Sequence, residues 1–151
     1  MAGMTNRGKK LMMDVYFRGA TPPTHFYLAL VTSATAPTAD TNTLSELTQI
    51  ATGDGYTDGG YELDRNSTDF DSLVENDTDD KGELQLKDVA WTATGGPIPA
   101  SGNGARYAVL TTDEGTVGNR QVVEYWDLVS DRTVSSGQAL TLQNCQVNAT
   151  E

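Results

Sequence analysis

From Thr5 to Arg18 the apolar residues Leu11, Met12, Val15 and Tyr16 recur at spacings of one, three and four, while Lys9, Lys10 and Asp14 fall away from them. That period predicts an amphipathic helix. Gly19 and the pair Pro22-Pro23 stop it. Isolated helices shorter than about 12 to 15 residues rarely persist in water, so this one must dock, either on its own core or on a partner. The next pattern is different: His25 to Thr32 places Phe26, Leu28 and Leu30 on one alternating face and Tyr27, Ala29 and Val31 on the other. This predicts a strand that needs cover on both sides.

A loop rich in Thr, Ala and Pro follows, and Thr43 with Glu46 three residues later gives a capping-box signature for a short helix through Ile50. From Gly53 to Gly82 the chain is crowded with Gly, Asp, Asn and Thr, turn-formers that leave few side chains to bury. The expectation is a long excursion with one strand over 61–65, not a second domain. Four further strand patterns follow, Glu83 to Thr92, Arg106 to Thr112, Gln121 to Val129 and Gln138 to Val147, separated by Gly-rich turns. Regular strands with few helices specify an all-β domain, a single jelly-roll-like β-sandwich over 19–151 with an N-terminal helical arm over 1–18.

Two strand patterns carry a local anomaly. Leu84 and Leu86 sit on one parity and Val89 and Trp91 on the other, which a β-bulge near Asp88 would reconcile. In Gln121 to Val129 both faces are apolar, so Val123, Tyr125 and Val129 are candidates for a subunit interface, the alternative being a central strand covered by the chain's own loops.

Charge changes the picture. The 151 residues carry 10 basic and 21 acidic side chains, a net charge of −11, which disfavours nucleic acid or anionic lipid as a partner. The excess is uneven: Arg7, Lys9, Lys10 and Arg18 against Asp14 make the arm basic, and the acids concentrate between 40 and 88. Such an arm can be steered to an acidic neighbour. The longest apolar run, Phe26 to Val31, is far below the roughly 20 residues of a membrane-spanning helix. No apolar stretch of signal-peptide length follows the basic N-terminal residues, so the expectation is a chain without its own secretion signal.

Candidate chemistry is sparse. Cys145 has no partner for a disulfide, and one histidine, His25, leaves no His-rich metal site and little material for a nucleophilic triad. Asp77, Asp79, Lys81, Gly82 and Asp88 match positions of a calcium loop, but Lys81 puts a cation where an oxygen ligand belongs and Asp88 is too short for the closing Glu. Asp64, Asp69 and Asp71 lie among Asn66, Ser67 and Thr68, where carboxylates are expected to stay ionised and solvated rather than form a glycosidase pair. The glycines lack the Lys and helix of a phosphate loop. No catalytic residues, cofactor or metal are expected.

The order of features resembles a known family. An amphipathic helix running into YFRG (Tyr16 to Gly19), the strand YLALVTSA (Tyr27 to Ala34), a Gly/Tyr segment with Arg65, a Trp-containing strand and a closing Gly-Gln-Xaa-Leu-Thr-Leu strand (Gly137 to Leu142) are similar to small tailed-bacteriophage virion proteins, several of them capsid decoration or cement proteins. The resemblance implies a β-sandwich on the outer capsid surface, a homotrimer that binds the major capsid protein and bridges capsomers, with no catalytic residues. The arm residues Arg7, Lys9, Lys10, Leu11, Met12, Val15, Tyr16 and Arg18 are then the expected contacts. Two alternatives stand beside it: a tail or fibre protein that recognises the host, and a calcium-dependent carbohydrate-binding module.

Overall fold

The computed structural model describes residues 3–150. Among them are ten strands, all paired antiparallel, and one α-helix. The strands are β1 (Gly3–Met4), β2 (His25–Val31), β3 (Tyr61–Asp64), β4 (Ser72–Asn76), β5 (Lys81–Gln85), β6 (Val89–Thr92), β7 (Ala105–Thr111), β8 (Val122–Arg132), β9 (Ala139–Leu142) and β10 (Gln146–Thr150). The helix, α1, spans Asn6–Arg18. A five-stranded sheet in the order β1-β8-β7-β2-β3 forms one layer. The other is split into a three-stranded sheet, β10-β5-β4, and the pair β6-β9.

The main core lies between these layers. Leu28, Leu30, Leu63, Ala108, Leu110 and Trp126 of the large sheet meet Val89, Trp91, Leu140, Leu142 and Val147 of the small ones, with Leu86 from the link between them. The architecture is the sandwich-like all-β domain expected from the alternating runs. Tyr56 locks the edge of the core, its hydroxyl accepting from the Leu30 amide at 2.9 Å. Gly60 lets the excursion turn tightly over β2: at φ 82° it lies so close that a Cβ would fall 2.0 Å from the Leu28 carbonyl oxygen.

The opposite face of the large sheet is covered as well. Ala29, Val31, Val109, Val122 and Tyr125 pack under Leu44 and Leu47 of the 40–50 loop in a second, smaller core. The demand of β2 for cover on both faces is thereby met within the chain. The helix expected over 43–50 is a single 3-10 turn, Leu44–Glu46, whose Glu46 carboxylate accepts from the Thr43 amide at 3.2 Å. The capping signature is realised, but apolar residues three apart suit one tight turn packed on a sheet more than a full helix.

The bulge expected near Asp88 is instead a change of sheet. β5 ends at Gln85, β6 begins at Val89, and the three residues between reset the parity so that Leu86, Val89 and Trp91 all reach the core. A bulge does occur in β8, where Leu110 pairs with Glu124 and Thr111 with Val122, leaving Val123 as the extra residue. The strands β1 and β4 go beyond the sequence expectation. Two residues carry too little pattern to identify β1, and β4 has two adjacent apolar residues, Leu73 and Val74, with no alternation, in the acidic excursion.

Candidate attachment surface

The first turn of α1 is riveted to the body. Met4 pairs with Glu124 across β1 and β8, and the Thr5 amide donates to the Val123 carbonyl at 3.0 Å. Thr5 is fully buried as the N-cap: its hydroxyl oxygen accepts from the Gly8 amide at 2.9 Å and donates to the Val122 carbonyl at 2.5 Å. Gly8 is the contact residue. A Cβ there would stand 2.4 Å from the Val123 carbonyl oxygen, so only glycine lets the helix axis approach the β8 backbone this closely. Arg7 adds a hydrogen bond from Nε to Gln121 Oε1 at 2.7 Å.

Beneath this turn lies Glu124, 1% exposed, whose carboxyl oxygen Oε2 has no partner. Burial pushes its pKa up to about 8 against the opposing pull of backbone amides and Lys9. The group is a buried acid beside the first turn of the arm.

Beyond the first turn the helix leaves the body. Leu11 packs on the main core and Val15 is half-buried, but Met12, Met13, Tyr16 and Phe17 are 46%, 54%, 83% and 78% exposed. The single stripe expected from the sequence is therefore two. Leu11 and Val15 turn inward, whereas Met12 and Tyr16 turn outward and join Met13 and Phe17, each pair one helical turn apart. The Tyr16 and Phe17 rings meet edge-on with centroids 5.0 Å apart. Lys9 begins the same outward face one turn earlier and is exposed.

On the flank, Asp14 is paired with Lys10 and with Arg18 at 3.4 Å, and these cations hold its carboxyl below the ordinary value. Gly19 ends the helix in the left-handed conformation at φ 71°, its amide returning to the Asp14 carbonyl. Met13 and Phe17 escape the sequence reading because they lie one position off the stripe of Leu11, Met12, Val15 and Tyr16. Their own spacing of four is the signal that could have found them.

The expected interface residues of β8 do not form one face. Val123 and Tyr125 are 6% and 8% exposed and belong to different cores of this chain, because the bulge at Val123 reverses the alternation between them. Covered strands, not an open interface, explain both. Val129 is 77% exposed and sits at φ 70°, a costly conformation for a β-branched residue. It stands in a wide irregularity where β8 takes a five-residue step from Asp127 to Arg132 against the two-residue step from Ala105 to Tyr107.

The acidic stretch is a strand–turn–strand hairpin, not the helix-flanked loop of an EF-hand. Asp77 to Asp80 form the tip of the β4–β5 hairpin, Asn76 Oδ1 accepts from the Thr78 and Asp79 amides, and Lys81 Nζ lies 2.7 Å from Glu83 and 3.5 Å from Asp79. Asp88 is tied to Gln143 instead. Asp69 also departs from expectation: it is buried, accepts from the Asp64 amide at 2.7 Å and from Lys87 Nζ at 2.6 Å, and the lysine keeps its carboxyl below the usual range. It staples the excursion to the body. Burial raises the Cys145 thiol to about 11, so it packs as a small apolar group. No family model, curated protein or solved structure matches the chain.

Proposed function

We propose that this chain is a non-enzymatic structural protein of a tailed-bacteriophage virion, a decoration or cement protein that binds the outer capsid surface through the outward face of α1. One observation carries the reading: a helix with a rigidly fixed first turn exposes Met12, Met13, Tyr16 and Phe17 side by side. Fully burying a large apolar side chain is worth about 1.5–3 kcal/mol, and contiguous apolar patches mark contact sites. Lys9 and Lys10 beside the patch favour a partner surface whose apolar centre has an acidic rim. The partners in this reading are the major capsid protein and further copies of the chain, as a homotrimer. Repetition over a shell turns modest single contacts into firm attachment.

The test is the number of copies per purified particle, together with their position by cryogenic imaging. Copies on the order of hundreds, spread over the capsid, fit decoration; a handful at the tail would instead make the chain a tail or fibre protein.

A further inference from the structure

We propose that His25, Glu62 and Asp64 form a binding site for a divalent first-row transition cation, with zinc as the probe. The ladder between β2 and β3 sets the arrangement: His25 is paired with Asp64 and Tyr27 with Glu62, so all four side chains share one face of two rigid strands. His25 Nδ1 lies 3.0 Å from Asp64 Oδ1 and 3.7 Å from Glu62 Oε1, and the three ligand atoms are all within 4.8 Å of one another. A tetrahedral cation about 2.0–2.1 Å from each ligand atom needs those atoms about 3.3–3.4 Å apart. The observed separations bracket that value, and small side-chain rotations close the difference.

The ligands are also supported from behind. The second oxygen of Glu62 accepts a hydrogen bond from the Tyr27 hydroxyl. The Arg120 guanidinium lies 3.6 Å from the centre of the Tyr27 ring, and its Nη1 donates to the Gly59 carbonyl at 3.3 Å. A ligand carboxylate oriented by a hydrogen bond that is itself fixed by packing is the usual support of a metal site. One imidazole with two carboxylates suits zinc and its neighbours; calcium prefers six to eight oxygens. Two carboxylates also balance a double positive charge.

Isothermal titration of the full chain with zinc chloride in a non-chelating buffer tests the site, read beside the thermal melt. The expected result is one saturable equivalent and a raised melting temperature. His25→Gln and Asp64→Asn should each weaken binding by at least about tenfold, and Tyr27→Phe, which removes only the support, by roughly tenfold. Excess calcium should not displace the zinc. The three side chains are partly or fully exposed, so the variants should melt within a few degrees of the parent without metal. Absence of saturable binding up to millimolar zinc would overturn the proposal. So would zinc binding unchanged by His25→Gln, which would move the ion to the acidic hairpin, or displacement by calcium.

Discussion

The two halves of α1 differ both in sequence character, polar at 5–8 and apolar at 12–17, and in fate. Residues 5–8 are fixed by hydrogen bonds and close packing against β8, while residues 12–17 hold more apolar surface and touch little of the body. Apolar content therefore does not decide which face of this helix is buried. The decisive residue is Gly8, which has no side chain: its close approach to the Val123 backbone orients the helix so that Leu11 and Val15 reach the body and Met12, Met13, Tyr16 and Phe17 do not. A surface helix docked by its small residue leaves its large ones exposed.

The contrast is sharpened most at Glu124, beneath the docked half. Its neutral form is favoured on folding, so stability should fall from about pH 4.5, where the unfolded carboxyl ionises, to about pH 8, where the folded one does. Glu124→Gln removes that dependence. The gain, absent at pH 4, should reach about 3–5 kcal/mol above pH 8, since each tenfold rise in proton affinity on folding is worth about 1.4 kcal/mol; urea unfolding across the pH range measures it. Gly8→Ala breaks the docked half by sterics: a loss of about 2–4 kcal/mol is expected, or roughly 5–15 °C in a calorimetric melt. Thr5→Ala removes the cap and the bond to Val122 at a smaller cost, about 1–2 kcal/mol, again by melting. The free half should hardly register. Tyr16→Ser with Phe17→Ser should change stability by no more than about 0.5 kcal/mol, and a loss as large as that of Gly8→Ala would erase the distinction.

Much of the fold is legible in the sequence because periodicity reports burial. His25 to Val31, Ala105 to Thr111 and the two-sided Val122 to Trp126 declare their strands and their two cores, and Thr5, Gly19 and the prolines bound the helix. What escapes are features set by pairing at a distance. β1 and β4 have no pattern of their own, and the change of sheet between Gln85 and Val89 looks like a bulge from one strand alone. The bulge at Val123, which separates Val123 from Tyr125, is visible only against β7. The buried state of Asp69 depends on Lys87, 18 residues away. The trio at His25 needs the register of β2 on β3. The outward face of α1 is half legible: the helical period marks Met12 and Tyr16 but places them on the same side as Leu11 and Val15.

The proposed attachment through the outward face of α1 is tested directly by co-sedimentation with emptied capsids. Deleting the arm is the wrong variant, since β1 is a strand of the large sheet and Thr5 at the helix start is bonded to β8. The Tyr16→Ser, Phe17→Ser chain, shown folded by its unchanged melt, should remain in the supernatant while the parent pellets with the shells. Equal pelleting of the two would contradict the claim.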